Sequence, residues 1–530
     1  MEQARSPAQV DWHSDAYWQT RRLSPAQLQI HDVRIEGWRN DIGPMLEMKE
    51  VLSSTLLPAL EKRNRLSDTL RVEEFTKNRS EQHHLRALAN EFGWMNCLRS
   101  DLVQKTVSDS RDSRLCRWIH ISSKFSDYLA GCLLALSDWG KDPQDVLTAL
   151  HQLEHCIHQN ERFSKHGRYF APFVQDLTDP DEYDEGHSGD RPMLLSIPFL
   201  DWTVDDETPP LRFQVDPREN YQSSRSTSHK LRSILQHFYR LEDTSDREAH
   251  QVFTKHKPWQ TDRALDLKVR RWYGHYPTGL NVDELWILVI DDRHIVTFSS
   301  NQSWKSRWPP LQLSARILEV SFRNVRNAFL NTTEPDYTSS THIVTALSGA
   351  MGMLHRSFWT DITLCLSDRY ASYLGHLQYR LHRSPSTKLV MDLLQVQEEL
   401  NIIIQIMDQQ LDVVTKLQDM LGPLPNRHSS ISGPQGHRLR EANTITPSGI
   451  ATYRQLAFSR LSDPSAQLLE NLKREYSDLC DLRENSNALI NRTIQLVNIR
   501  LEDHGKAILV FTIVTIIFLP LSFVSSFFVP

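Results

Sequence analysis

The C-terminal stretch Ala507–Pro530 reads AILVFTIVTIIFLPLSFVSSFFVP, and its reading decides the fold. It carries no charge, and no other part of the 530-residue chain is both this long and this apolar. As a helix rising about 1.5 Å per residue it reaches ~36 Å, enough to cross a hydrocarbon core about 30 Å thick. A soluble core helix keeps one polar side, whereas this segment is apolar nearly all round. The stretch predicts one transmembrane helix at the end of a large polar body.

The segment has internal structure. Thr512, Thr515, Ser522 and Ser526 project within an arc of about 80° on a helix. A polar stripe of this kind suits a face turned toward other helices or toward a water-filled pore, so these four are the pore-lining candidates. The same hydroxyls can instead bond back to the helix carbonyls at little cost. Pro520 has no N–H to donate and predicts a kink in the span.

Upstream, Asp463-Pro464 suits an N-cap followed by the first helical position. No proline or glycine interrupts 465–504, about 60 Å of helix, and Gly505 leads into the span. Leu472, Tyr476, Leu479, Ile490, Val497 and Leu501 mark a heptad-like seam, broken at Arg483 and Ser486. Residues 422–450 are rich in Pro, Gly, Ser and Asn and read as a flexible loop. Before it, Thr387–Met420 repeats Leu389, Leu393, Val396, Leu400, Ile403 and Met407 at three- and four-residue steps, a bundle or coiled-coil face. His342–His382 is a further helical run, with Ser384-Pro385 as punctuation.

Residues 186–335 differ in character. Met193–Trp202 is strand-like, with Pro198 favouring an edge or a strand end. Glu284–Ile290 and His294–Phe298 flank Asp291-Asp292-Arg293 as a β-hairpin. Helical runs over Ser228–Leu241 and Ser314–Asn331 flank these strands, giving a compact α+β domain. Trp202, Trp259, Trp272, Trp286, Trp304 and Trp308 fall here and read as packing residues. No glycine-rich phosphate loop and no G-x-S-x-G elbow is present, so a nucleotide-dependent enzyme or a serine hydrolase has nothing to rest on.

The run TIVTIIFLPLSFVSSFF, Thr512 to Phe528, behind a long charged helix, resembles the first transmembrane helix of the CorA-like magnesium transporter family, in its fungal branch. The hairpin DELWILVIDD with IVTFSS, and Leu195–Trp202, are similar to that family's cytosolic domain. The resemblance implies a homo-oligomer, a pentamer, whose stalk helices form a funnel over the pore. It implies Mg2+ as the ion transported or sensed, with no other cofactor. In the family the helix ends in Gly-Met-Asn, followed by a short loop and a second span. Here the sequence reads Phe527-Phe528-Val529-Pro530, so the resemblance implies a subunit truncated before that tripeptide. The alternative is a single-span, membrane-anchored regulatory or signalling protein derived from the family without transport activity. No acidic motif of the family's magnesium-sensing sites carries over, so no metal ligand is assigned.

The remaining features are bland. A net charge of −6 over this length does not suit a dedicated nucleic-acid binder. The six cysteines are scattered without a C-x-x-C pair, as in a reducing compartment. The N-terminus has no apolar signal region. Arg492, Arg500 and Lys506 precede the span, which places the body on the cytosolic side and leaves four N-x-S/T sequons unused. Helices are expected over Pro44–Glu61, Glu81–Ser100, Leu115–Leu136 and Asp145–Gln159. His151-Gln-Leu-Glu154-His155, with His158 a turn later, fits the inverted zinc-peptidase pattern H-x-x-E-H. In a chain with 23 histidines such a match arises readily by chance, and a solvated helix face is the simpler reading. Asp176–Asp190 is an acidic loop without EF-hand spacing.

The expected organisation is a helical N-terminal region (1–185), an α+β cytosolic domain (186–335), a long helical region (336–421), a flexible loop (422–450), a stalk helix (451–506) and a transmembrane helix (507–530). The fold is then predominantly α overall, with long stalk helices leading from an α+β domain into the membrane. The expected function is transport of a divalent cation rather than catalysis, with the lipid bilayer as partner.

Overall fold

The apolar runs in the middle of the chain pair into one eight-stranded sheet. The computed structural model describes residues 26–39, 43–56, 116–137, 143–178, 192–204, 229–300, 339–354, 365–421 and 464–527, with short gaps inside these ranges, and Leu313, Arg316, Ile317 and Val320. The strands are β1 (Ala26–Arg39), β2 (Gly43–Leu56), β3 (Cys116–Ile121), β4 (Glu161–Ser164), β5 (Gly167–Phe170), β6 (Phe173–Asp176), β7 (Met193–Val204), β8 (Arg232–Ser233), β9 (Pro277–Val289) and β10 (His294–Phe298). The large sheet runs β2-β1-β3-β10-β9-β7-β6, with β8 beside β9, and β4-β5 form a separate hairpin. Every pair is antiparallel except β3 with β10, where Trp118 lies beside Ile295. The expected β9–β10 hairpin is present, with Ile295 opposite Val289 and Phe298 opposite Trp286.

The helices are α1 (Ser126–Leu136), α2 (Pro143–Asn160), α3 (Ile234–Phe238), α4 (Ser245–Glu248), α5 (Val252–Lys255), α6 (Arg263–Tyr273), α7 (Ser339–Met351), α8 (Leu366–Arg383), α9 (Thr387–Leu421) and α10 (Pro464–Phe527). Helix outweighs strand among the described residues. Side chains alternate across the sheet, and each face carries its own core. Leu195, Ile197, Leu285, Ile287 and Ile295 pack with α7, α8, α9 and α10. Leu194, Trp286, Leu288, Val296 and Phe298 pack with α1 and α2. The body is thus an αβα sandwich whose one helical layer continues as the long hairpin α9–α10.

Pro198 sits where its missing N–H costs nothing. β6 pairs with β7 over Met193–Ser196, so among the described residues β7 is an edge on that side beyond this point. The Pro198 carbonyl accepts from Gln410 Nε2 of α9 at 2.8 Å.

Several expected helices give way to strand. Pro44–Glu61, rich in helix-forming Leu, Glu and Met, contains β2, which pairs along β1 from Gly43 to Leu56. Leu115–Leu136 opens as β3 and becomes helix only from Ser126. Strands β1 to β6 all precede residue 185, so strand outweighs helix among the described residues of this region, and the sheet takes strands from both sides of that point. Pairing overrides local propensity in both cases, with the adjacent strand β1 for β2 and with the more distant β1 and β10 for β3. Ser228–Leu241 shrinks to α3, held by a capping box in which Ser233 accepts from the Gln236 N–H and Gln236 accepts from the Ser233 N–H. His342–His382 divides into α7, a 3-10 turn Gly352–Leu354, and α8. Glu81–Ser100 and the loop 422–450 lie outside the described residues, as does most of Ser314–Asn331.

Helix α9 packs antiparallel to α10. Gln418 of α9 donates to Ser465 at the start of α10, and Arg500 donates to the Pro385 carbonyl just before α9. The buried seam of α10 runs Leu468, Leu472, Glu475, Leu479, Ser486, Ile490 and Thr493. Ser486 therefore continues the seam rather than breaking it. Leu501, expected in the seam, is 62% exposed because α9 has already ended.

Helix α7 passes so close to the segment at Ile317 that only glycine fits at 349. A Cβ there would lie 2.9 Å from the Ile317 Cα. Gly349→Ala should lower unfolding stability by about 1–3 kcal/mol through overpacking. Gly375→Ala in α8, where a Cβ meets nothing within 4 Å, should raise it by up to about 1 kcal/mol. Denaturant titration of the two variants beside the parent chain checks both signs.

Candidate functional site

Helix α10 is continuous from Pro464 to Phe527, so the stalk and the apolar segment are one rod. It is the one helix among the described residues long and apolar enough to cross a membrane, and its most apolar window is not buried in the body at all. Pro520 lies inside the helix without ending it. Its missing N–H leaves the Ile516 carbonyl without its usual helical donor.

The four expected stripe residues bond to their own helix. Thr512 Oγ1 donates to the Ile508 carbonyl at 2.8 Å and Thr515 Oγ1 to Phe511 at 2.8 Å. Ser522 Oγ donates to Leu519 at 2.9 Å and Ser526 Oγ to Phe523 at 2.7 Å. Ser525, which the sequence reading passed over, donates to Ser522 at 2.9 Å and widens the polar arc to about 140°. Each hydroxyl hydrogen is committed to a carbonyl, which leaves the oxygen lone pairs free to accept.

The sandwich holds a second concentration of chemistry, a buried ionic network centred on Glu284 of β9. Arg232 Nη2 donates to Glu284 Oε1 at 2.7 Å, and His229 Nδ1 lies 3.1 Å from Oε2. The Phe170 N–H donates to the same oxygen at 3.3 Å. Lys124 Nζ stands 3.8 Å from it and 2.6 Å from Asp283 Oδ1. The other nitrogen of His229 meets Glu161, which Arg168 also pairs at 2.7 Å. Burial alone would push the Glu284 carboxyl up, but Lys124, His229 and Arg232 together hold it well below the usual carboxylate range. The network clamps Lys124, the β4–β5 hairpin and β8 to β9. Its anions are all met by cations, which suits a structural pin rather than a reacting centre.

Glu399 of α9 is the opposite case. It is buried, and Tyr370 donates to Oε2 at 2.7 Å while the Val252 N–H donates to Oε1 at 2.9 Å. Neither donor is charged. Burial raises this carboxyl to about 7 against the Tyr370 and Val252 hydrogen bonds, which favour the anion; Glu398 adds to the rise and Lys255 opposes it. The flanking contacts are charged: Arg247 and Tyr239 reach Glu398, while Lys255 and Arg380 bond Asp392 at 3.0 and 3.1 Å. α9 thus meets the α3–α5 layer through a polar seam with one acid of near-neutral pKa at its centre.

The histidine motif does not assemble a site. His151, His155 and His158 lie on the exposed face of α2, while Leu150, Leu153 and Cys156 form its buried face. His155 lies 2.6 Å from Gln159, and no group of three His, Cys, Asp or Glu able to hold a metal occurs among the described residues. Trp202 and Trp286 are wholly buried, as packing residues should be.

No family model and no curated protein matches the chain. Among solved structures, the CorA magnesium transporter of Methanocaldococcus jannaschii aligns over 78% of this chain and 80% of its own, with 10% identity and a TM-score of 0.31. The architecture described above stands on the chain's own strands and helices.

The Glu399 environment fixes a pH dependence. Its folded pKa lies above the ordinary 4.5, so the neutral acid contributes fully below about 4.5 and the contribution is lost as pH rises through about 7. The swing is on the order of 3 kcal/mol. Urea unfolding midpoints of the detergent-solubilised chain should fall between pH 5.5 and 8.5, and Glu399→Gln should flatten that fall. A variant with the parent's pH profile would refute the assignment.

Proposed function

We propose that the chain is a subunit of a CorA-like divalent-cation transporter, with α10 as its pore-lining helix and Mg2+ as the ion. The carrying observation is the continuity of α10: one helix is clamped to the body by α9 and leaves it as a bare apolar rod with a polar stripe. The resemblance of Thr512–Phe528 and of the β9–β10 hairpin to the family supports the same reading. A homo-oligomer, a pentamer in the family, would gather the stripes around one axis.

The stripe has suitable chemistry for a hydrated ion. Mg2+ keeps its water shell tightly, and the hydrogens of those waters point outward. A lining that accepts hydrogen bonds serves such an ion, and hydroxyls whose own hydrogens are committed to carbonyls act as acceptors. Thr512, Thr515, Ser522 and Ser526 would present these oxygens.

Liposomes containing the chain and a Mg2+-sensitive dye should show uptake above protein-free liposomes. Thr515→Leu, which removes an acceptor worth about 1 kcal/mol, should slow uptake about fivefold. In the same membranes Thr515→Cys should react with a membrane-impermeant thiol reagent, and Ile517→Cys on the opposite face should not. Uptake equal to protein-free liposomes, with both cysteines unreactive, would leave a lipid-embedded anchor and overturn the transporter reading.

A further inference from the structure

The turn between α8 and α9 lies beside the root of the apolar segment. Arg500 of α10 donates to the Pro385 carbonyl at 3.3 Å, and the uncharged run begins at Ala507. Seven helical steps separate them, about 10 Å along the axis. The headgroup layer on each side of a bilayer occupies about 5–8 Å of that distance. The α8–α9 elbow therefore stands next to the headgroups whenever α10 spans.

The elbow is basic and open. His382, Arg383 and Lys388 are exposed around Ser384-Pro385-Ser386. Neither Arg383 nor Lys388 has an ion-pair partner among the described residues; Arg383 instead lies over the Tyr379 ring at 4.9 Å. The acid of this turn, Asp392, is buried and already bonded to Lys255 and Arg380. Tyr379 and Met391, 57% and 65% exposed, flank the cations with amphipathic and apolar surface. On α10, Arg500 stands at the level of the elbow and Lys506 about 9 Å nearer the apolar run, set against Glu502 and Asp503, with Lys506 3.9 Å from Glu502. The band keeps a positive excess, and it faces the side that the flanking charges assign to the cytosol, where leaflets are anionic.

We propose that the α8–α9 elbow docks on the anionic headgroups of the bilayer that α10 crosses, with Arg383 and Lys388 as the phosphate-binding side chains. The inference rests on reading α10 as a membrane span and is independent of transport. Long basic side chains reach toward a surface while their stems stay against the protein, which covers the remaining distance. Docking would brace the free end of the α8–α9 hairpin against the membrane, so that the body is held at three points: the span, Arg500 and the elbow.

The test uses the full chain in vesicles of phosphatidylcholine alone and of phosphatidylcholine with phosphatidylserine at 7:3. Carbonate extraction reports insertion, and hydrogen–deuterium exchange reports the elbow. Backbone amides over 382–390 should exchange more slowly in the anionic vesicles, with each basic side chain contributing about fivefold to docking. The slowing should vanish in Arg383→Gln/Lys388→Gln and fade in high salt, while the variant's melting temperature stays that of the parent. Insertion into both vesicle types with equal elbow exchange would overturn the docking and leave the span intact. Failure to insert in either would remove the span reading itself, and the docking with it.

Discussion

One helix has to satisfy two surroundings along a single axis, and the rest of the molecule is arranged around that demand. From Leu468 to Thr493, α10 buries a seam against α9 and behaves as a soluble bundle helix. Each Leu or Ile fully buried there contributes about 1.5–3 kcal/mol, which is what holds the rod to the body. Beyond that seam the same helix presents Ile508, Phe511, Ile516, Phe518 and Phe523 with about half to three-quarters of each side chain exposed. An apolar surface of this extent needs a cover, and length and composition fit a bilayer.

The sandwich gives the rod a rigid base. Strand β9 is buried on both faces, and Glu284, placed in the middle of its apolar run, would be costly there alone. The cost is offset because Lys124 and the pair His229 and Arg232 converge on it from two separate parts of the chain. Removing one member of such a set leaves a bare buried charge, so the network acts through specificity: it admits one placement of the β4–β5 hairpin and β8.

How much of this was legible depended on how local the cause was. The hairpin β9–β10, helix α9, and α10 from Pro464 onward follow from periodicity, capping and turn residues within a few positions of each other, and all three stand as read. β3 did not, because its strand state comes from remote partners, β1 and β10; β2 did not, although its partner β1 is its hairpin neighbour, because its Leu, Glu and Met residues favour helix locally and the pairing overrides them. The polar stripe of α10 was visible as spacing, but its hydroxyls face two choices, and the back-bonding to Ile508, Phe511, Leu519 and Phe523 is a matter of rotamers that spacing does not set. The Glu284 network was not legible, since Glu161, His229 and Glu284 are far apart in sequence. One clue stood in the open: Asp283 and Glu284 interrupt an otherwise apolar run, and a charge in such a place requires a partner.

Two of the body's buried carboxylates, Glu284 and Glu399, divide its electrostatic labour. Glu284 is met by cations and stays ionised across any physiological pH, so its contacts are constant and the sheet it pins does not respond to protons. Glu399 is met only by a phenol and a peptide N–H, donors that can serve the neutral acid as well as the anion. Its charge changes near neutrality, at the joint where α9 rests on the α3–α5 layer. α9 packs against both α10 and the sheet, with Gln410 bonded to the Pro198 carbonyl of β7. The stiff element and the adjustable element are thus separated by chemistry: paired ions fix the base, and an unpaired acid sits where the base meets the stalk.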